Sequence, residues 1–136
     1  SACGASALHV DELLVPDVLL ALLCEARRVV RPGGLLLLET PNPENVQVGA
    51  HTFHLDPTHL RPLPPQFLAF LVEHAGWTLI DVPRLHPHEA PLAVMRERAA
   101  EDAGESALIA DVRRVGTILF GPRDYAVVAR RPRDAD

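Results

Sequence analysis

The fold of this chain is decided by residues 27–42, which have the sequence RRVVRPGGLLLLETPN. Two arginines stand where a helix would end and its partial negative charge favours cations, and Pro-Gly-Gly cannot continue a helix. The leucines at 35–38 follow without polar alternation, which is typical of a strand buried on both faces. The stretch therefore predicts a helix, a sharp turn and a strand of a parallel sheet. Ligands of open α/β sheets bind beyond the carboxyl ends of the strands, so chemistry is expected just downstream.

Apolar residues at helical spacing predict that the helix begins near Pro16, with Asp17 as its N-terminal cap. Prolines between residues 41 and 65 are too frequent for a helix or a central strand, so a long loop is predicted there. The other predicted elements are strands at 2–8, 77–82 and 124–129 and helices at 66–74, 89–110 and 108–115.

The composition of the 136 residues indicates one domain, spanning 1–136, because 48% of them are hydrophobic and can form a core. The formal net charge of −5 argues against a surface that neutralises phosphate backbones, so nucleic acid is not expected as a ligand. The apolar runs are short and interrupted, and no membrane span or signal peptide is expected. The two cysteines form no CxxC pair, which favours reduced thiols in a cytoplasmic protein.

A dense group of polar side chains lies in the predicted loop, in the sequence HTFHLDPTH at 51–59. Imidazole and carboxylate are zinc ligands, so His51, His54, Asp56 and His59 could hold a metal that activates water, as in a zinc-dependent hydrolase. The spacing matches no established zinc motif and a proline interrupts it, so metal binding is the least favoured interpretation. Hydrogen bonds within the loop and contact with a substrate are the two alternatives, and the sequence leaves both open.

Further polar residues follow the two predicted strands. After the first strand, Glu12 is a candidate to contact a cofactor and His9 to donate a hydrogen bond to it, although Asp11 could instead cap the next helix. After the second strand, Asn42 and Asn45 stand beside prolines, as turn residues do, but their position at the strand exit also favours contact with a substrate.

Several motifs resemble the second half of class I S-adenosylmethionine-dependent methyltransferases. HVDEL at 9–13 and RVVRPGGLL at 28–36 resemble the fourth strand, helix and fifth strand of that family. A bacterial subgroup linked to polysaccharide modification has motifs like ETPNPEN at 39–45, DPTH at 56–59 and GPRDY at 121–125. The resemblance implies an α/β fold: a partial Rossmann-like methyltransferase sheet, strands four to seven, with flanking helices and an antiparallel last strand. It also implies methyl transfer from S-adenosylmethionine to an oxygen of a sugar or other small molecule.

Two departures from the family pattern qualify what the resemblance implies. The family usually has His-Val-x-Glu-His, and Leu13 replaces the second histidine, so any contact by that side chain is absent. The family's cofactor half also has a G-x-G-x-G turn after its first strand, which these residues lack; Gly33 and Gly34 precede a strand instead. The chain is therefore expected to be the C-terminal portion of a methyltransferase catalytic domain, inactive alone and with weak or no affinity for the cofactor.

The resemblance suggests roles for the loop residues. Methyl transfer to a hydroxyl needs alignment of the reactants and removal of one proton. His54 or His59 is predicted to be the base, with Asp56 orienting the imidazole, and His51 is predicted to contact the acceptor.

A different function follows if the chain is not catalytic. The predicted first strand should have an unpaired edge, and unpaired edges recruit other chains. The alternative is therefore a partner-binding module, whose partner is the missing N-terminal half or a second copy.

Overall fold

The computed structural model describes residues 2–87 and 103–133 and confirms the α/β class. The strands are β1 Ala2–Leu8, β2 Val30–Pro41, β3 Thr78–Asp81, β4 Arg84–Leu85 and β5 Asp124–Arg130. The helices are α1 Pro16–Val29, α2 Val46–Ala50, α3 Pro65–His74 and α4 Ala103–Leu119, with 3-10 turns at Asp11–Leu13 and Thr52–Leu55. The first part of the helix predicted at 89–110 lies outside the described residues. No helix in the described ranges is both long and apolar enough to cross a bilayer.

The strands form one sheet in the order β1-β2-β5-β3, with β4 also paired to β5. β1 runs parallel to β2, with Gly4 opposite Leu35 and Leu8 opposite Glu39. β5 runs antiparallel to β2, as predicted for the last strand, and β3 is antiparallel to β5. The carboxyl ends of β1 and β2 and the start of β5 therefore lie at the same edge of the sheet.

The central strand β2 is covered on one face in the described part of the chain, so the prediction of burial on both faces was wrong. Leu36 and Leu38 are 2% and 1% exposed, whereas Leu35 and Leu37 are 46% and 38% exposed. The covered face packs against two helices through Leu19 and Leu23 of α1 and Leu68 and Val72 of α3. Four identical leucines carry no alternation in hydropathy, so this difference between the faces comes from the helices and not from the strand sequence.

The predicted turn at 32–34 belongs to β2, which starts directly after α1. Gly33 adopts φ 78°, a left-handed conformation that glycine tolerates, and its N–H donates to the Arg131 carbonyl at 2.9 Å. The Arg131 guanidinium donates to the carbonyls of Arg27 and Val30, at 2.7 and 2.6 Å. An arginine from the far end of the chain thus satisfies the carboxyl end of α1, as a cation should.

Two helix starts differ from the sequence-based expectations. Val15 is the N-cap of α1 and makes no side-chain cap, while Asp17 lies within the first turn; its predicted capping role was wrong. The proline-rich segment contains the short helix α2, although a loop was predicted. α2 forms because Asn45 accepts the Val48 N–H at 3.1 Å, and because no proline occurs between residues 43 and 57. The α3 helix begins at Pro65 with proline in its first turn, as expected.

Candidate functional site

Five polar side chains meet at the carboxyl edge of the sheet. We call them the sheet-edge cluster: His9, Glu12, Glu39, His86 and Asp124. His9 Nε2 lies 3.6 Å from Glu39 Oε1 and 4.0 Å from Asp124 Oδ1. His9 follows β1, Glu39 lies near the end of β2 and Asp124 begins β5. The His9 backbone N–H donates to the Glu39 carbonyl at 2.8 Å. The convergence of three strands therefore builds the cluster.

The two histidines of the cluster have unusual backbones. His9 and His86 have φ of 53° and 51°, and they are the non-glycine residues with positive φ in the described part of the chain. This left-handed conformation is unfavourable for a residue with a Cβ and recurs at functional sites. His86 Nδ1 lies 2.7 Å from Asp124 Oδ2 and, because a carboxylate only accepts, the imidazole donates this bond.

Glu12 is a fully buried carboxylate between two imidazoles. Its Oε2 accepts the Thr40 hydroxyl at 2.8 Å. Its Oε1 makes no hydrogen bond and lies 3.6 Å from His9 Nδ1 and 3.7 Å from His59 Nε2. The neighbouring Asp11 is also buried and neither of its oxygens has a partner. Burial, reinforced by the Glu12 carboxylate, raises the pKa of Asp11 to about 7.

The loop histidines are oriented mainly by backbone carbonyls. His59 Nδ1 lies 2.8 Å from the Phe53 carbonyl, which can only accept, so Nδ1 carries the hydrogen and Nε2 of the neutral ring keeps its lone pair. His59 Nε2 lies 3.6 Å from Asp56 Oδ2. His54 is exposed, and its Nε2 faces the Gly49 carbonyl at 3.2 Å. Of the predicted catalytic residues, the structure brings His59 and Asp56 together and points His54 elsewhere.

Asp56 is exposed and mainly shapes the loop. Its Oδ1 accepts the Thr58 N–H at 2.8 Å and the Thr58 hydroxyl at 2.6 Å. These hydrogen bonds hold the pKa of Asp56 below its ordinary value. Because the Phe53 carbonyl bonds Nδ1 of His59, the ring is oriented by that carbonyl, with Asp56 beside the opposite nitrogen. His51 ends α2 and is exposed, and its predicted contact with the acceptor stays a prediction.

Three potential metal ligands, His9, Glu39 and Asp124, have donor atoms within 4.8 Å of one another. The loop residues His51, His54, Asp56 and His59 do not form such a group, although all four are among the described residues. The loop therefore lacks the ligand arrangement that the zinc-hydrolase hypothesis requires.

A cleft of about 300 Å³ opens beside the sheet-edge cluster. It is lined by Pro41, Val48, Thr52, Phe53, His59, His86, Arg123 and Asp124. The volume is at the lower limit of small-molecule sites, and the lining mixes apolar and polar groups. The cleft thus places His59 of the loop and two members of the cluster around the same space.

Asn42 and Asn45 are buried and fasten the segment after β2 to the turn before β5. Asn42 Nδ2 donates to the Pro122 carbonyl at 3.0 Å, and Asn45 Nδ2 donates to the Gly121 carbonyl at 2.6 Å. Their oxygens accept backbone N–H groups just downstream, at 3.1 Å each. Both side chains therefore have a structural role, and their predicted contact with a substrate stays a prediction, as does cofactor contact by His9 and Glu12.

Sequence reasoning missed Glu39, His86 and Asp124 as site residues. The signal that could have found Glu39 and Asp124 was available. A last strand that runs antiparallel to β2 must begin at the edge where β2 ends, so the residues at those two ends become neighbours.

No protein-family model matches the sequence, and no curated protein matches it. Solved structures do match. An S-adenosylmethionine-dependent methyltransferase from Archaeoglobus fulgidus aligns with a TM-score of 0.73 and 26% identity, over 94% of this chain and 58% of that chain. The [4+2]-cyclase SpnF aligns with a TM-score of 0.55 and 19% identity, over 96% and 50%. The third structure is a Haloferax volcanii complex of the Trm112 methyltransferase activator with a protein named as a methyltransferase. It aligns with a TM-score of 0.64 and 15% identity, over 97% of this chain and 55% of that chain.

These similarities define the fold. The chain has part of the fold of class I S-adenosylmethionine-dependent methyltransferases, as the sequence resemblance implied. It spans between 50% and 58% of the length of these three structures. The cyclase among them illustrates that one fold carries more than one chemistry, so the reaction must be argued from the site.

Proposed function

We propose that these residues are the acceptor-side, C-terminal portion of an S-adenosylmethionine-dependent methyltransferase that acts on a hydroxyl of a sugar or other small molecule. The main support is the cleft at the carboxyl edge of the sheet, where His59 is held with Nε2 free to take a proton. The position agrees with the rule that open α/β sheets bind ligands beyond their strand ends. The narrower assignment to polysaccharide modification rests on the sequence resemblance alone.

His59 is the better candidate for the base of the two predicted histidines. It lines the cleft, whereas His54 is exposed and faces a carbonyl. If an acceptor hydroxyl displaced S-adenosylhomocysteine from the methyl carbon, an O–C bond would replace the S–C bond and the hydroxyl proton would pass to Nε2 of His59. The imidazolium that forms lies within 4 Å of the Glu12 and Asp56 carboxylates, which stabilise its charge.

The methyl donor is not held by these residues alone. The sequence has no G-x-G-x-G turn between a strand and a helix, which would cradle the cofactor. S-adenosylmethionine would supply the electrophilic methyl group, and this portion is assigned only the acceptor and its proton. Residues 1–136 alone are accordingly expected to bind the cofactor weakly or not at all.

Two measurements test the proposal. Isotope-labelled S-adenosylmethionine, incubated with a panel of sugars and the natural full-length polypeptide that contains these residues, should yield a labelled methyl ether. Absence of labelled product across hydroxyl acceptors, while the polypeptide binds the cofactor, would contradict O-methyl transfer. Calorimetry of residues 1–136 with S-adenosylhomocysteine should give no heat beyond dilution; tight binding would contradict the division into two portions.

A partner-binding role is the second candidate, favoured by a specific observation. Within the described residues β1 lies at the end of the sheet, and Leu35 and Leu37 are exposed on the open face of its neighbour. An unpaired strand edge beside apolar surface recruits another chain. Light scattering after size exclusion should then give a mass above that of one chain, and a stable monomer at all concentrations would argue against this role.

A further inference from the structure

We propose that His9 Nε2, Glu39 Oε1 and Asp124 Oδ1 bind a divalent transition-metal ion at the edge of the cleft. The three donor atoms come from residues at the ends of three neighbouring strands, and the distances from the imidazole nitrogen are 3.6 and 4.0 Å. Bonds of zinc to nitrogen and oxygen place tetrahedral ligands about 3.4 Å apart, so the two distances from the imidazole nitrogen need to shorten by about 0.2 and 0.6 Å when an ion binds. One imidazole and two carboxylates suit Zn²⁺ or Mn²⁺ better than Mg²⁺, which prefers oxygen alone.

The buried carboxylate of Glu12 supports the same assignment independently. Its Oε1 has no hydrogen bond and lies 3.6 Å from His9 Nδ1, the nitrogen that faces away from Glu39. A histidine that binds metal through one nitrogen commonly donates the hydrogen of the other to a carboxylate, which fixes the tautomer. Glu12 is in turn held through Oε2 by the Thr40 hydroxyl. In this arrangement His9 is a ligand of the ion and Glu12 orients its ring.

His86 positions the third ligand. It donates to Asp124 Oδ2 at 2.7 Å and thereby leaves Oδ1 facing His9. Its Nδ1 is also 3.9 Å from Glu39 Oε1. Glu39 and Asp124 have oxygens within 4.8 Å of each other, and two such carboxylates repel unless a cation lies between them. The hydrogen bond from His86 offsets only part of this repulsion, and a divalent ion would offset the rest.

The location suggests what the ion would do. Asp124 and His86 line the cleft that also contains His59, so an ion at this site would contact a ligand oxygen there. A bound divalent ion acts as a Lewis acid and orients hydroxyl groups. The part played in methyl transfer rests on the proposed function, whereas binding of the ion does not.

Metal binding is tested without methyl donor or acceptor, so its failure and that of the proposed function are distinguishable. The protein is freed of metal by a chelator and titrated with Mn²⁺, followed by electron paramagnetic resonance, and with Zn²⁺, followed by calorimetry. We expect about one equivalent of either ion to bind. Glu39→Gln and Asp124→Asn should each weaken binding at least about tenfold, and Glu12→Gln about tenfold.

The matched control is Glu25→Gln, which removes an exposed carboxylate on α1 that pairs with Arg28. Its affinity for both ions should equal that of the unmodified protein. Circular dichroism confirms that each variant is folded. The proposal would be overturned if the unmodified protein bound neither ion. It would also be overturned if Glu39→Gln and Asp124→Asn were folded and kept the affinity of the unmodified protein.

Discussion

The loop at 51–59 and the sheet-edge cluster both contain histidines and carboxylates, but their polar atoms are used differently. In the loop, His54, Asp56 and His59 face carbonyls or N–H groups of the loop itself or of the adjoining helix α2. In the cluster, side chains from separate elements face one another, and a Glu12 oxygen stays without a hydrogen bond. A region that satisfies its own hydrogen bonds can fold without a ligand, whereas a buried carboxylate oxygen without a hydrogen bond requires an explanation, which the proposed metal site supplies.

The sharpest contrast within the loop is between His59 and His54. His59→Gln in the natural full-length polypeptide should lower kcat for methyl transfer by about 10²- to 10⁴-fold, since it removes the proposed base. His54→Gln should leave kcat unchanged because His54 is exposed and points to a carbonyl. Steady-state kinetics on both variants measure the difference. Equal losses in the two variants would mean that the loop acts as a whole and that His59 is not the base.

Buried charge beside the cluster should reduce stability as the pH rises. The pKa of Asp11 is about 7 in the folded chain, whereas the ordinary value is 3.8. Between these two pH values the folded chain therefore binds more protons than the unfolded chain. The contribution of Asp11 to the free energy of unfolding therefore falls from about pH 4 to about pH 7 and then levels off. Asp11→Asn removes the charge and should stabilise the chain by about 4 kcal/mol at pH 8 and little at pH 4.

Urea unfolding with a chelator present, at several pH values, measures this effect. Glu73→Gln, an exposed carboxylate on α3, is the control and should not change the pH dependence. An Asp11→Asn variant that is less stable than the unmodified chain at pH 8 would show that the Asp11 carboxylate is paired.

Loss of the hydrogen bonds that attach the segment after β2 to the turn before β5 should change the free energy of unfolding by a smaller amount. Asn45→Ala removes the cap of α2 and the hydrogen bond to the Gly121 carbonyl, and it takes the Asn45 side-chain acceptor away from the buried Val48 N–H. The expected loss is about 1 to 3 kcal/mol in the free energy of unfolding. Chemical denaturation measures it, with exposed Gln47→Ala of the same helix as the control. A loss no larger than that of the control would mean that the loop is held by apolar contacts instead.

The smallest effect on stability is expected for substitution of Asp56. Its lowered pKa contributes stability above the ordinary value of 3.8, and this is lost as the pH falls through the lower pKa of the folded chain. Because the side chain is exposed, this contribution is small, and Asp56→Asn should lower the melting temperature only slightly above pH 5. Differential scanning calorimetry at pH 7 tests this, and a clear drop there would give Asp56 a structural role comparable to that of Asn45.

Much of the scaffold could be predicted from sequence, since the elements carry local signals. Proline before α3 and glycine after it set its ends, and the apolar strands β2 and β5 were expected in the right places. The exposure of Leu35 and Leu37 could not be predicted, because it depends on which helices pack on the sheet. The sheet-edge cluster depends on residues far apart in the chain, such as Glu39 and Asp124, whose meeting follows from strand order rather than local sequence.

The open face of β2 has a practical consequence for work with this chain. Leu35 and Leu37 present aliphatic surface in the folded state, so a fluorescent dye that binds such surface should report the native chain and not only partly unfolded forms. Dye assays of thermal unfolding would then start from a high baseline. Conversely, displacement of the dye offers a simple titration for any molecule that covers these two leucines.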